Sequence, residues 1–493
     1  MSSSNRVQIC SCIEATVGTT PGTPRMRTRR TTGEGLKWTP TFVDSDEMRQ
    51  DMSNAPPIKV GEDSTGDVKF ELSYPVPDSP ADVDLQSALY STWSNTNSRD
   101  NDGTAASVIT AVATSGTVVT CVTGTAFVAK ELVKFSGFGV AGNNGVFPCT
   151  TGSATVPAFA GSGITNEASP AAAARMKVVG FIGDSGDINA TATGLHSTTT
   201  NFTTFAGLVV GKWIKIGGTA AGTKFVTAAL NDWARVTAIT ATDITLDNRP
   251  SGWTTETGTG LTLKVWYGDQ IKNGTTQIGQ TFEKGFLGQT APTYIVQPGM
   301  VVSEYSMDWT AKQKITGSVT YKGMRGAGQS TTSLDASPDA ATNLTTYPVM
   351  ACSANVGRIA EAGAALTAPN FVKAFTLKIT HNITETEDLA TMGAAALTGG
   401  SFDISGTLNT YFGDNTLLTK YFAGTLTSLN VRAVKNSQGV IVTIPAATYN
   451  SDGSPNASGK DQDTMANFGF KASKDETITN SMICVDRIPY FES

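Results

Sequence analysis

Only two histidines, His196 and His381, occur in the 493 residues, which narrows the acid–base and metal chemistry open to the chain. The clearest candidate nucleophile is Ser185 in VVGFIGDSGDIN (178–189), where an apolar run leads into Gly183-Asp184-Ser185-Gly186. A serine nucleophile needs a histidine to take its proton and a carboxylate to orient that histidine. In the protease order the histidine comes first, yet none precedes Ser185. In the lipase order an aspartate stands three residues before a late histidine, yet Lys378 and Thr193 occupy those places. The segment therefore reads as a turn closing a β-module. Phosphate binding fares no better: in GLVVGKW (207–213) the glycines are too closely spaced for a P-loop, and Trp213 replaces the magnesium-binding hydroxyl. The oxygen-rich run NTNSRDNDG (95–103) has Ile109 at the twelfth position from Ser98, where a calcium loop needs glutamate, so it reads as a linker. Cys10 and Cys12 are a lone pair in a flexible N-terminal arm, too few for a ligand set. These absences point to a non-enzymatic protein with no cofactor and no metal.

The basic cluster Arg25, Arg27, Arg29 and Arg30 is the one patch suited to phosphate. No aromatics interleave it, and Glu34, Asp44, Asp46 and Glu47 follow, which favours a solvated arm pairing with acidic neighbours. Lys and Arg total 36 against 42 Asp and Glu, a formal charge of -6, the opposite of the balance expected for a phosphate grip. His381 falls on the polar face of its segment and is expected to be exposed.

Strands are what the composition supplies to position any such residues. With 50 glycines, 16% charged residues and abundant Thr, Ser, Ala and Val, the chain favours short strands and tight turns over long helices. A hydrophobic fraction of 39% suffices for a core. The six cysteines are too scattered for a disulfide framework, no apolar run reaches membrane-spanning length, and MSSSNRVQICSCIEA lacks the blocks of a secretory signal, so synthesis in a reducing cytoplasm is expected.

Three zones differ in texture. Residues 1–103 hold a polar arm, an alternating strand at Asp67–Tyr74, and one strong helix signal. Ser79 is a suitable N-cap, Pro80 occupies the first helical position, and Asp82 and Asp84 suit the positive end of the dipole. Val83, Leu85, Leu89 and Trp93 supply an apolar stripe over about 80–94, with Val83 and Leu85 imperfectly in phase. Residues 104–270 are Thr/Ala/Gly-rich and repeat: AKELVKFSGFGVAGNNGVFPCTT resembles VGKWIKIGGTAAGTKFVTAAL about 80 residues on. Each copy reads as a strand (Leu132–Phe135, Trp213–Ile216), a Gly-rich turn and a return strand (Val146-Phe147, Phe225-Val226), then a further strand (Ser153–Val156, Thr237–Leu246). Two small β-modules, 104–186 and 187–270, are expected. Residues 271–493 return to long alternating strands, broken by a polar loop at 323–350. Phe282, Phe286, Phe375, Phe402, Tyr411 and Phe412, in or beside those strands, read as core.

In the outer zones an ordered series stands out: GTTPGTP, DSDEMRQDMS, STGDVKFELSYP, PADVDLQSALYSTW, then QTFEKGF, PTYIVQPGMVVSEYSMDW, QKITGSVTYKGMRG, NVGRIAEAGAALTAPNFVKAFTLKITHNI and GGSFDISGTLNTYF. The series resembles the phage tail-tube proteins of siphophages. The resemblance implies a mainly β fold, two packed antiparallel sheets flanked by a helix, split into 1–103 and 271–493 around the inserted pair of modules. It further implies a structural subunit of a non-contractile tail, found in the virion and assembling with itself into hexameric rings. Those rings would stack into a conduit for double-stranded DNA. Tape-measure and tail-terminator or baseplate proteins are the implied partners, with no membrane. Residues 31–60 and 323–350 are expected to staple ring to ring and to order on assembly, with Phe42, Asp44, Glu47, Met48, Arg49, Met324 and Arg325 as candidate contacts. A β-module surface protein that binds a host-cell receptor is the alternative.

Overall fold

The computed structural model describes residues 4–102, 108–113, 117–326, 328–451, 453–456 and 459–492, so the expected boundary at 103/104 lies outside them. The fold is mainly β, with large antiparallel sheets and few helices. In the outer zones the period-two pattern becomes alternating burial, as in Thr316–Gly323 and Val372–His381. Ile58–Glu71 pairs with Thr316–Gly323, which pairs with the second half of Thr293–Thr310. The order continues through Val372–His381, Phe402–Tyr411, Met465–Ala472, Gln438–Ser451, Thr427–Lys435 and Val356–Glu361, antiparallel throughout. Two long strands change partners midway. The first half of Thr293–Thr310 pairs with Gln280–Phe286, which pairs with Val7–Ile13, and the first half of Gln438–Ser451 pairs with Cys484–Ile488. The strands thereby wrap one core that draws on residues 9–93 and 271–485, with Trp309, Phe375 and Phe470 at its centre. Cys10 and Cys12 are buried within Val7–Ile13, a central strand where a flexible arm was expected.

The helix spans Pro80–Leu89, capped by Ser79, whose Oγ accepts from Asp82 N. It stops short of the expected 94 because Tyr90 turns left-handed (φ 48°) and stacks on His381 at 4.0 Å. The phase mismatch between Val83 and Leu85 has a simple cause: both are buried, as are Asp82 and Asp84, because the helix is enclosed on more than one side. His381 corrects the sequence expectation. It is 4% exposed, its Nε2 meets Ala88 O at 2.8 Å, and burial lowers its pKa.

Residues between 109 and 267 form a second hydrogen-bonded network and a second core. The chain leaves and re-enters the first core at neighbouring points, Ser94 N donating to Gln270 O at 2.7 Å. The linker expected at 95–103 is instead structured, Ser98–Asp100 pairing with Arg175–Lys177 and Arg99 and Asn101 being buried. The repeat is real at the level of atoms. The Asn144 carboxamide accepts from Phe138 N (3.0 Å) and donates to Phe138 O and Val140 O; that of Asn231 accepts from Phe225 N (2.9 Å) and donates to Phe225 O and Thr227 O. Glu167 accepts from Gly139 N and Val140 N as Glu256 accepts from Val226 N and Thr227 N. Phe225 thus corresponds to Phe138, so the second return strand is Trp233–Ile239 and not Phe225-Val226. Ser153–Val156 is not a strand, and Thr237–Leu246 is broken between Trp233–Ile239 and Asp243–Asp247.

Candidate functional site

The feature that outruns the packed sheets is a hairpin. Lys37–Val43 pairs with Ile58–Thr65, while only Ser64–Glu71 of that second strand pairs onward with Thr316–Gly323. Six residues, 58–63, therefore extend past the sheet, about 20 Å at ~3.4 Å per residue. Within the segment expected as a polar arm, Lys37–Val43 and the strand that begins at Ile58 are regular, joined by the irregular residues 44–57, and Glu62 N donates to Met392 O at 2.8 Å. Its outer end is oily. Phe42, Val43, Ile58 and Val60 are 55%, 51%, 59% and 52% exposed, and Met48 and Met52 almost wholly so. Large apolar side chains so exposed and so close together suit burial against another surface.

Phe42, Asp44, Glu47 and Met48 all sit at this end, and no ion pair engages Asp44, Asp46 or Glu47 among the described residues. Arg49 is exposed and pairs with Asp51 of its own loop at 2.9 Å. Met324 lies at the hairpin's base, where it packs over Gly18 and Gly299; both glycines have positive φ, and a Cβ at either would strike its side chain. Arg325 beside it is exposed. The loop 323–350 is fastened to its own chain: Asp339 pairs with Arg25 (2.7 Å), Asp335 accepts from Met26 N (3.0 Å), and Glu283 accepts from Leu334 N (2.6 Å). Composition had not singled out Ile58, Val60 and Met52, although Ile58-Lys59-Val60 carries the alternation of a strand.

A second concentration of chemistry lies where the two cores meet. Arg487, 1% exposed, joins Asp82 on the helix, Asp269 (2.8 Å) and Asn95 (2.9 Å) over the Trp93 ring. Asp269 also accepts from Lys177 (2.7 Å) and Thr96 N (2.8 Å). Burial alone would raise the Asp269 pKa, but Lys177 and Arg487 hold it at about 2. Asp82 has less compensation, and burial lifts it to about 6 despite Arg487. Alongside runs an apolar seam in which Trp213, Trp233 and Trp266 meet Ile441, Ile488 and Phe491. Residues so far apart in the chain give no local sequence signal.

The other sequence candidates resolve into structure. Ser185 sits exposed in a turn anchored by Asp187, which accepts from Ser197 Oγ and Thr200 Oγ1 at 2.6 Å; neither histidine bonds to Ser185 among the described residues. His196 Nδ1 pairs with Asp243 at 2.8 Å instead. Lys212, of the phosphate-loop-like run, is buried and donates to Gly207 O. Of the basic cluster, Arg25 and Arg27 do pair with an acidic neighbour, Asp339, but Arg29 is buried against Asp84 and is not solvated. No group of three or more potential ligands is placed to hold a metal among the described residues. No helix among them is long and apolar enough to cross a membrane.

No curated protein matches the chain. The family model described as phage tail tube protein matches residues 4–472, most of both outer zones and everything between them. With a match of that extent, carried on a mainly antiparallel fold, the chain belongs to the phage tail tube protein family.

Proposed function

We propose that the chain is the major tail-tube subunit of a long-tailed phage, stacking in rings, six subunits to a ring by family resemblance, around a channel for genome DNA. The observation that carries this is the hairpin: a projection whose outer end leaves Phe42, Val43, Ile58 and Val60 about half exposed and Met48 and Met52 almost wholly so. A monomer gains nothing from such an end; a stacked subunit does. The net charge of -6 supports a wall that passes DNA without gripping it. On this reading the chain is made in the host cytoplasm and resides in the virion tail. It meets tape-measure, terminator or baseplate proteins at the tube's ends, and residues 104–270 form two modules pointing outward. The hairpin contacts would include Phe42, Asp44, Glu47 and Met48. Sedimentation and negative-stain microscopy of the purified chain test the proposal: rings or tubes are expected, and monodisperse monomers at every concentration would refute it.

A further inference from the structure

A groove of about 210 Å³ opens at the other end of the sheet, between Trp309, Cys352, Val356, Ile359 and Val372, with Lys373 also in its lining. Resting on the tube reading, we propose that the hairpin tip of one copy seats its apolar side chains in this groove of the next copy.

Strand register carries the argument. Counting along Ile58–Glu71, the tip lies beyond Ser64, which faces Gly323; the far end, Glu71, faces Thr316, which in turn is paired with Asp308. Trp309 and Ala311 follow directly, so tip and groove sit at opposite ends of the same strands. A knob at one end and a socket at the other make a heterologous contact, which repeats head to tail from ring to ring. Two observations fit this occupant. The tip carries Asp44, Asp46 and Glu47 outside any ion pair, and beside the groove Lys373 and Lys312 are exposed and likewise outside any ion pair among the described residues. Lys312 N is tied to Ser353 Oγ at 2.8 Å, next to Cys352; Asp461 and Asp463 border Lys373 on a separate surface hollow. Trp309, 3% exposed, lines the groove with an indole N–H that has no acceptor among the described residues. Met48 and Met52, unbranched and adaptable, are suited to filling an irregular slot.

The chain supplies its own probe. All six cysteines are free and five are buried, Cys352 being the exception. Full-length Met48→Cys, assembled and treated with a short bis-maleimide, should give a ladder of covalently joined chains on denaturing gels. The ladder should vanish in Met48→Cys/Cys352→Ser. Met52→Cys serves the same purpose should Met48→Cys assemble poorly. Tubes that form without a Cys352-dependent ladder from either variant would overturn the groove assignment and leave the tube reading standing. Failure of the unmodified chain to form rings or tubes would overturn the tube reading and this contact with it.

Discussion

Replacing Phe42 by Ser and Val43, Ile58 and Val60 by Thr would strip the hairpin of its oil while leaving its backbone pairing intact. The four side chains are 55%, 51%, 59% and 52% exposed, so about half of each remains to be buried on assembly. Complete burial of a large apolar side chain is worth about 1.5–3 kcal/mol, so each half contributes about 1 kcal/mol and the set about 3–6 kcal/mol per contact. At about 1.4 kcal/mol per factor of ten, stacking should weaken roughly a hundredfold to ten-thousandfold. The monomer should be nearly unaffected, because the groups lost are exposed and Thr keeps strand propensity. Sedimentation velocity across a concentration series reads the stacking, and thermal melting of the dilute monomer checks the fold. A variant that polymerises at the wild-type concentration with an unchanged melt would refute the role given to the hairpin.

Three further outcomes follow from the interior. Arg487→Ala leaves Asp82 without its ion pair and Asp269 with Lys177 alone in a buried site, so urea unfolding should show a loss of about 3–5 kcal/mol. Glu131 is buried, and burial raises its pKa to about 7 against an ordinary 4.5; the folded state therefore holds its proton more tightly, and stability falls as pH rises from about 4.5 to 7. Glu131→Gln should then raise the melting temperature at pH 8, by at most about 3 kcal/mol in stability, and leave it nearly unchanged at pH 4. Excising residues 104–266 uncovers Ile441, Ile488 and Phe491, so size-exclusion chromatography should show aggregation, relieved by adding Ile441→Thr and Phe491→Ser.

Much of the architecture was legible because its signals are local. Val372–His381 and Phe402–Tyr411 alternate cleanly, and Ser79-Pro80 announces the helix within two residues. What misled was tertiary. His381 ends its strand beneath the helix, where Tyr90 and Ala88 O enclose it, and no single-strand pattern reveals a cover supplied from 290 residues away. The polar look of 31–60 hid a hairpin because its apolar residues face outward, which is the reverse of the pattern that marks a buried strand. The repeat was visible, yet its register slipped, since Asn144 and Asn231 hold equivalent turns whose flanking residues differ in kind.

The placement of the insert follows from its ends and its seam together. Ser94 and Gln270 are hydrogen-bonded neighbours, so the strands of the first core are barely disturbed by 175 residues leaving and returning between them. Ends alone would permit a bead on a tether. The seam forbids that: Trp213 Nε1 donates to Thr443 Oγ1 at 2.8 Å, Trp233 and Trp266 stack edge-on against Phe491 and Tyr490, and Lys264 grips Glu492 at 2.5 Å. Arg487 and Asp269 add a buried ionic tie whose partners come from both sides, Asp82 and Lys177. Breaking all of these to free the insert would expose three tryptophans and unpair buried charges, each a cost of several kcal/mol. Residues 95–269 are therefore fastened to the first core along a packed seam and not tethered at their two ends alone.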